Sequence, residues 1–276
     1  MILATVFWGA GFFFTKLALQ EISSTAFLFF RYSVATISML PLLAFYPISL
    51  NKQLLKQGIN LGLLQIGLMF AQTLGLETIS ASLSGFLTGF SIVFVLIIRF
   101  IINKQLPSVL DIVTSLICVG GLGLLTHSFE QTDTLGIVYT LACALCMAIY
   151  VYVLDRYSTA DNAFALTFLQ MVSLAVFAGL VLILTNGTFQ LPSQLNTWIA
   201  IIFCGIGGSS LAYWLQNKAQ RDLGAFKVSV ILMLEPVFAT IFAYFGLGEQ
   251  LYLTSYIGIG MILGSIAIIN WRLKEA

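Results

Sequence analysis

Ten apolar segments follow one another along this chain, and short polar links separate them. About 20 apolar residues are enough to cross a bilayer as an α-helix, and each segment has roughly this length. Their predicted bounds, named span 1 to span 10 in chain order, are 2–20, 25–46, 58–77, 80–101, 107–127, 136–154, 163–185, 197–217, 225–246 and 251–270. The sequence therefore predicts an all-α integral membrane protein with ten transmembrane helices, surrounded by the lipid bilayer.

Composition excludes several other classes of protein. Hydrophobic residues make up 59% of the 276 residues and charged residues only 8%, so little chain remains for a soluble domain. The apolar runs are continuous and do not alternate with period two, which excludes a transmembrane β-barrel. The net charge is +1 and the basic residues form no patch, so we expect no nucleic acid partner. No phosphate-binding motif G-x-x-x-x-G-K-[ST] is present, so we expect no use of ATP.

The positions of the basic residues predict the orientation, because cytoplasmic links retain positive charge during insertion. Most of them follow spans 2, 4, 6, 8 and 10: Lys52, Lys56, Arg99, Lys104, Arg156, Lys218, Arg221, Arg272 and Lys274. The opposite links carry acidic residues: Glu21, Glu77, Glu130, Asp133 and Glu249. Both termini are therefore predicted to be cytoplasmic, in a multi-pass protein of the inner (cytoplasmic) membrane. Met1 leads directly into span 1 without a basic segment, so we expect no cleavable signal.

The four cysteines and the one histidine do not indicate a metal or redox site. Cys118, Cys143, Cys146 and Cys204 all fall inside predicted spans. The C-x-x-C spacing of Cys143 and Cys146 on an apolar helix is more typical of packing residues than of ligands. His127 stands alone at the end of span 5, where we interpret it as an interfacial residue. We expect no disulfide, no metal and no cofactor.

The chain repeats itself across its two halves. Aligning 81–94 with 225–238 places Phe94 over Phe238, Ser91 over Glu235 and Ile92 over Pro236. We therefore predict two five-helix repeats, residues 1–130 and residues 131–276. Because five is odd, the second repeat enters the membrane from the opposite side, which gives an inverted repeat. This architecture is typical of carriers that alternate access around a site at the midplane.

The charged residue Glu235 lies in the middle of span 9 and is followed at once by Pro236. A charge at this depth costs roughly 2.5 kcal/mol or more, so it usually serves a function. We predict that Glu235 binds substrate or couples transport to protons; the alternative is a neutral structural carboxyl group. Pro236 frees a backbone carbonyl near Leu232, which predicts a hinge facing a cavity. Arg31 is the natural partner charge, and the two together would suit a zwitterion.

Polar and aromatic side chains on shared helix faces complete the candidate site. Gln65 and Gln72, and likewise Ser84 and Thr88, recur at helical spacing. Such groups need polar partners in a membrane, supplied either by a water-filled cavity or by hydrogen bonds between helices. Aromatic walls suit planar or cationic solutes. The predicted substrate-binding set is Trp8, Phe12, Arg31, Gln65, Gln72, Ser84, Thr88, Tyr150, Tyr213, Trp214, Asn217 and Glu235.

Glycines four residues apart predict close helix crossings of the G-x-x-x-G type. The pairs are Gly58 with Gly62, Gly85 with Gly89, and Gly260 with Gly264. Sliding between moving helices is the alternative interpretation.

Several short segments together resemble EamA-type transporters of the drug/metabolite transporter superfamily. They are Trp8-Gly9, Phe30-Arg31, Glu77-Thr78 and Ala81-Ser82 in the first half, and Tyr213-Trp214, 234–238, Gly248-Glu249 and 258–264 in the second. The resemblance implies a ten-helix carrier of amino acids, their derivatives, nucleotide-linked metabolites or other small organic solutes, with many members acting as exporters. The chain departs from the family pattern at Ile92, where proline is usual, and at Gln105, where glutamate is usual.

These observations favour a secondary or facilitative transporter of small organic metabolites, with amino acid export as the first choice. The alternatives are an exchanger or importer of nucleotide-type or cationic metabolites, a lipid-head-group flippase, and a receptor. A membrane-embedded enzyme would need paired catalytic groups, which the spans do not offer, so we expect no catalytic residue. We expect the protein to act as a monomer.

Overall fold

The computed structural model describes residues 1–104, 106–125, 133–159, 162–185, 191–247 and 252–275. Within these ranges all regular structure is helical and there is no strand, which confirms the predicted fold class. His127, Glu130, Gln105 and Glu249 lie outside the described residues, as does the predicted boundary between residues 130 and 131.

The helices follow the predicted spans closely. The first half contains α1 (Ile2–Ala18), α2 (Ser24–Met39) with a 3₁₀ turn at Leu40–Ala44, α3 (Lys52–Thr78), α4 (Ala81–Gly89), α5 (Ser91–Asn103) and α6 (Val109–Leu125). The second half contains α7 (Thr134–Tyr157), α8 (Ala163–Leu184), α9 (Leu195–Ile202), a π-helix (Phe203–Leu211), α10 (Ala212–Leu232), α11 (Leu234–Leu247) and α12 (Leu253–Glu275).

Length and apolar character identify which segments can cross a membrane. Six qualify, namely Ser24–Ala44, Lys52–Thr78, Leu83–Asn103, Thr134–Tyr157, Ala163–Leu184 and Leu195–Gly246, and the last of these has 52 residues and contains both span 8 and span 9. The shorter apolar helices Ile2–Ala18, Val109–Leu124 and Leu253–Ile268 correspond to spans 1, 5 and 10. Gly224, with φ 73° and ψ 165°, interrupts α10 and separates span 8 from span 9. A positive φ favours glycine at such a corner.

Polar residues in the links set where several helices begin. The side chain of Ser23 accepts a hydrogen bond from the Ala26 amide, and Asn51 accepts one from Leu54 at 2.7 Å. Ser80 and Asp133 cap α4 and α7 in the same manner. These caps satisfy amide groups that have no partner within the helix. The short polar links therefore define the ends of the membrane helices.

Spans 4 and 9 are both broken, and the two breaks lie one residue apart in the alignment of the halves. Phe90 has φ −60° and ψ −12°, and Met233 has φ −63° and ψ −11°. Each of these amides bonds to the carbonyl three residues earlier, Leu87 or Val230, at 3.1 Å. Pro236 lies in the first turn of α11, just past the second break. Because the first half has the same break with Ile92 at the aligned position, proline is not required to form it.

Helix packing is symmetric under exchange of the two halves. Span 1 packs on span 9 (α1 on α11), and span 6 packs on span 4 (α7 on α4 and α5). Span 2 likewise contacts the π-helix of span 8, and span 7 contacts span 3 (α8 on α3). The contact of span 3 with span 6 (α3 on α7) is matched by that of span 1 with span 8 (α1 on α9 and the π-helix). The contacts of α2 with α8 and of α6 with α12 join equivalent spans. The contacts therefore pair each span of one half with a span of the other, and the division into two five-helix repeats stays a prediction.

Two of the three predicted glycine pairs form close crossings. A Cβ added at Gly58 would lie 2.5 Å from Leu169 Cβ, and one added at Gly62 would lie 2.5 Å from Ser173 Cβ. Gly85 similarly contacts Pro236, and Gly89 contacts Leu122. The prediction for Gly260 and Gly264 is wrong, because no described atom lies within 4 Å of an added Cβ at either position.

Links predicted on the same side of the membrane lie together. At the basic end, the Tyr152 hydroxyl donates to Asn103 Oδ1 at 2.7 Å, and the Ser158 hydroxyl donates to the Asn217 carbonyl at 2.7 Å. At the acidic end, the Ser193 amide donates to Glu21 Oε1 at 2.6 Å. Which end faces the cytoplasm stays a prediction.

Candidate functional site

A buried cavity lies where the two halves meet. Five helices besides α11 contribute to its wall. The lining residues are Trp8, Gly11, Phe12 and Thr15 of α1, Arg31 of α2, Leu68, Met69 and Gln72 of α3, Met147 and Tyr150 of α7, Tyr213 and Gln216 of α10, and Glu235 of α11. The wall therefore combines aromatic, apolar and neutral polar side chains with one basic residue, Arg31, and one acidic residue, Glu235.

Arg31 is 5% exposed and is held by the π-helix of span 8. Its Nε donates to Ser209 Oγ at 2.9 Å, and one terminal nitrogen donates to the Gly208 carbonyl at 3.4 Å. Within the described residues, no carboxylate forms a salt bridge with Arg31. A buried cation without a carboxylate in direct contact is costly, so this group is suited to bind an anion.

Glu235 is 6% exposed and lies in the first turn of α11. The amino-terminal end of a helix favours a negative charge, because its amides and dipole point toward it. Among the described residues, no side chain or amide donates a hydrogen bond to its carboxylate. α1 approaches the backbone here so closely that a Cβ on Gly9 would lie 2.8 Å from the Glu235 carbonyl oxygen. Close packing of α1 thus fixes the backbone that carries Glu235.

Three aromatic residues form one wall of the cavity. The Trp8 indole Nε1 donates to the Gly208 carbonyl at 2.8 Å, which fixes the plane of the ring. The ring centroids of Trp8 and Tyr213 are 5.1 Å apart, and those of Tyr213 and Tyr150 are 6.1 Å apart and perpendicular. Such surfaces bind planar side chains by stacking and ammonium groups by cation–π contact.

The nine-residue π-helix at Phe203–Leu211 organises one side of the site. Such segments are rare and occur often at functional sites. Glycine permits its close packing, since a Cβ at Gly205 would lie 2.8 Å from the Arg31 carbonyl oxygen and one at Gly207 would lie 2.7 Å from the Phe7 ring. This segment was not predicted from the sequence.

Seven of the predicted site residues line the cavity, and five do not. Those that line it are Trp8, Phe12, Arg31, Gln72, Tyr150, Tyr213 and Glu235. Those outside the lining are Gln65, Ser84, Thr88, Trp214 and Asn217. Arg31 and Glu235, which the sequence suggested as partner charges, line the same cavity.

Trp214 and Asn217 contact other residues outside the cavity. Trp214 packs edge-on against Tyr46 and Phe164, with ring centroids 5.4 and 5.9 Å away. Successive helical side chains point about 100° apart, so Trp214 cannot share the direction of its neighbour Tyr213. Asn217 Nδ2 donates to Thr167 Oγ1 at 2.7 Å, which is a hydrogen bond between helices.

The remaining three residues are buried beside the cavity without reaching it. Gln65 and Ser84 are both fully buried. Thr88 donates to the Ser84 carbonyl at 2.8 Å, which satisfies its hydroxyl within α4. Thr88 also contacts a narrow gap beside Glu235 and Pro236, which is separate from the main cavity.

Helical spacing could have identified several lining residues that the sequence prediction left out. Thr15 is seven residues after Trp8, and Met147 is three residues before Tyr150. Gln216 follows Tyr213 by three, and Met69 precedes Gln72 by three. Residues at these spacings share a helix face. Leu68 and Gly11 carry no such signal, since apolar and small residues are common on every face of a membrane helix.

Comparison with known families assigns the chain. The EamA-like transporter family matches it over residues 1–127 and again over residues 134–271. The chain belongs to the EamA-like transporter family. This EamA protein is therefore a membrane transporter of the drug/metabolite transporter superfamily.

Individual relatives agree with the family assignment. An uncharacterized transporter of Archaeoglobus fulgidus is 27% identical over 99% of this chain and 85% of its own length. A WAT1-related protein of Arabidopsis thaliana is 37% identical over 26% of this chain and 20% of its own. A solved crystal structure with 15% identity has the same fold, with a TM-score of 0.76 over 99% of this chain and 98% of the other.

Proposed function

We propose that this EamA transporter carries a zwitterionic metabolite, an amino acid or amino acid derivative, bound between Arg31 and Glu235. The observation that carries the proposal is the presence of these two opposite charges in one buried cavity without an ion pair between them. A guanidinium binds a carboxylate with two parallel hydrogen bonds, and a carboxylate binds an ammonium group. A zwitterion would satisfy both buried charges at once, whereas a lone cation or anion would leave one unpaired.

The rest of the wall favours an apolar or aromatic side chain on the substrate. Trp8 and Tyr213 present aromatic surface, and Leu68, Met69 and Met147 present flexible apolar surface. Thioether side chains adapt to different shapes, which suits a site that accepts related solutes. Gln72, Gln216 and Thr15 are the neutral polar groups that could orient a substrate or its water.

Glu235 is the proposed coupling residue. A carboxylate that holds either a proton or the substrate ammonium group makes the two binding events compete. Competition at one site links the two fluxes in opposite directions, which is antiport. With protons entering the cell, the carried solute leaves it, so we propose export in exchange for protons.

The helix breaks supply a route to alternating access. Met233, at the break of span 9, lies two residues before Glu235, and the break of span 4 at Phe90 lies within one residue of the aligned position. We propose that bending at these breaks, with Pro236 as part of the hinge, moves the Glu235 carboxylate as the two halves rock about the cavity. Substrate then meets a different arrangement of the site from each side.

Uptake by proteoliposomes tests the proposal. The purified full chain is reconstituted and offered radiolabelled L-amino acids, polyamines and nucleosides, with and without an imposed pH gradient. We expect accumulation of amino acids with apolar or aromatic side chains, driven by the gradient. Gradient-driven flux of polyamines or nucleosides in place of amino acids, or movement of fluorescent phospholipid alone, would contradict the zwitterion proposal.

A further inference from the structure

We propose that Ser209 is a positioning residue: its hydroxyl fixes the direction in which Arg31 presents its guanidinium to the substrate carboxylate. The inference rests on the proposed function, since it assigns Arg31 to the carboxylate. It assigns a role to a side chain of the π-helix that is itself outside the cavity lining.

The Ser209 hydroxyl makes two hydrogen bonds, one as a donor and one as an acceptor. The Ser209 hydroxyl donates its single proton to the Cys204 carbonyl at 2.9 Å. Its oxygen is therefore available to accept, and it accepts from Arg31 Nε at 2.9 Å. Ser209 is fully buried, so water does not compete for either bond. A bond from a charged donor to such a fixed acceptor is stronger than one between neutral groups.

The π-helix provides this geometry. A serine in an α-helix commonly bonds back to the carbonyl three or four residues earlier. Here the bond runs to Cys204, five residues earlier, as the wider turn of the π-helix requires. The second hydrogen-bond partner of the guanidinium is the Gly208 carbonyl, which also accepts a hydrogen bond from the Trp8 indole Nε1 at 2.8 Å. One π-helix thus positions a cavity residue of α1 and another of α2.

The remaining donors of Arg31 are those suited to the substrate. A guanidinium has five N–H donors in a rigid plane. Two of them point to Ser209 and Gly208, so the plane is fixed and the guanidinium cannot rotate about its own axis without losing both bonds. A fixed plane lets a carboxylate bind with two parallel hydrogen bonds at little cost in conformational entropy. Without the Ser209 hydroxyl, Arg31 keeps its charge and loses its defined direction.

Ser210 offers a matched control. Its hydroxyl bonds to the Ala35 carbonyl at 2.9 Å and to the Ser38 hydroxyl at 2.8 Å, so it joins the same two spans. It makes no hydrogen bond to Arg31. Ser210→Ala therefore removes a similar interhelical contact without changing the guanidinium. Ser209→Thr keeps the hydroxyl and serves as the conservative variant.

The first measurement needs no substrate. The full chain is labelled with ¹⁵N-arginine, reconstituted in lipid nanodiscs and studied by NMR. It has five arginines, so the Arg31 Nε resonance is assigned by its absence from the spectrum of Arg31→Gln. We expect hydrogen exchange at Arg31 Nε to be slow in the unmodified protein and in Ser210→Ala and Ser209→Thr, and to accelerate at least about tenfold in Ser209→Ala. Equal exchange in Ser209→Ala and Ser210→Ala would overturn the inference.

The second measurement separates positioning from general damage. Proteoliposome uptake is compared for L-phenylalanine and for phenethylamine, which lacks the carboxylate. Ser209→Ala should raise the KM for L-phenylalanine about tenfold with the maximal rate unchanged, and should leave phenethylamine unaffected. An unchanged KM in Ser209→Ala beside a large defect in Arg31→Gln would overturn the inference and leave the proposed function standing. Normal L-phenylalanine uptake by Arg31→Gln would overturn the proposed function itself.

Discussion

The guanidinium of Arg31 and the carboxylate of Glu235 line one buried cavity without forming an ion pair. Arg31 comes from the first half of the chain and is oriented by a π-helix of the second half. Glu235 comes from the second half and is fixed by close packing of α1 from the first. Each of these two side chains is thus positioned by the opposite half of the chain.

Trp8 and Trp214 should differ in their effect on transport. Trp8 lines the cavity and donates to Gly208, whereas Trp214 packs against Tyr46 and Phe164 outside it. Trp8→Phe should raise the KM for the transported amino acid by roughly five- to thirty-fold, through the lost hydrogen bond and altered stacking. Trp214→Phe should leave KM within about twofold. A larger KM effect from Trp214→Phe would show that the cavity is wrongly assigned.

Two glycines of α1 should respond differently to alanine. A Cβ on Gly9 would overlap Phe238 Cβ and lie 2.8 Å from two backbone atoms of α11, while a Cβ on Gly11 would meet no described atom within 4 Å. Gly9→Ala should lower the free energy of unfolding by about 1–3 kcal/mol, because backbone must move to admit the methyl group. Gly11→Ala should change it by less than about 0.5 kcal/mol. Unfolding in mixed micelles measures both, and equal values would contradict the close crossing.

Glu21 should make stability depend on pH in a defined direction. Hydrogen bonds from the side chains of Ser193 and Thr197 hold the pKa of its carboxyl at about 2, below the ordinary 4.5. A lowered pKa in the folded state stabilises the protein above about pH 4.5, and this contribution is lost as the pH falls toward 2. The difference in melting temperature between the unmodified protein and Glu21→Gln should therefore be full near pH 7 and shrink below pH 4.5.

Ser193→Ala is the partner variant for that measurement. It removes the hydroxyl that donates to Glu21 Oε1 at 2.6 Å, so its effect should largely overlap that of Glu21→Gln. The double variant should then be less destabilised than the sum of the two single variants. A melting-temperature difference that stays constant from pH 7 to pH 3 would argue against the hydrogen-bonded carboxylate.

Single introduced cysteines test the orientation. Lys52 and Gln20 are both exposed and lie at opposite ends of the bundle. The native cysteines give little background, because Cys118, Cys143 and Cys204 are buried and Cys146 is half-buried. In intact cells a membrane-impermeant maleimide should label Gln20→Cys, and Lys52→Cys should react only after lysis. The reverse labelling would place the termini outside the cytoplasm.

Hydropathy predicted the ten spans because an apolar segment in lipid must satisfy its backbone hydrogen bonds internally, which a helix does. The internal structure of the spans was harder to predict. Pro236 predicted the break of span 9 near Met233. The break of span 4 at Phe90 has no proline nearby and was not predicted. The π-helix depends on how small residues such as Gly205 and Gly207 pack against α2 and Phe7, which is a tertiary property.

The site was predicted in part for a similar reason. Glu235 and Arg31 could be identified because a charge inside a span is costly and therefore rare. Neutral polar residues carry no such signal: Asn217 and Gln72 look alike in the sequence, yet one bonds to Thr167 and the other lines the cavity. Only the position of a neighbouring helix distinguishes the two cases.

The most direct test of the central claim compares charge recognition in Arg31→Gln and Glu235→Gln. Proteoliposomes are offered three solutes. L-Phenylalanine carries both charges, phenethylamine carries only the ammonium group, and 3-phenylpropionate carries only the carboxylate. In the unmodified protein, L-phenylalanine should be preferred. Arg31→Gln should weaken uptake of L-phenylalanine and 3-phenylpropionate but spare phenethylamine. Glu235→Gln should weaken uptake of L-phenylalanine and phenethylamine and remove the response to a pH gradient. If Glu235→Gln takes up L-phenylalanine normally across pH, or if both variants lose all three solutes equally, the claim that these residues recognise the two charges separately is contradicted.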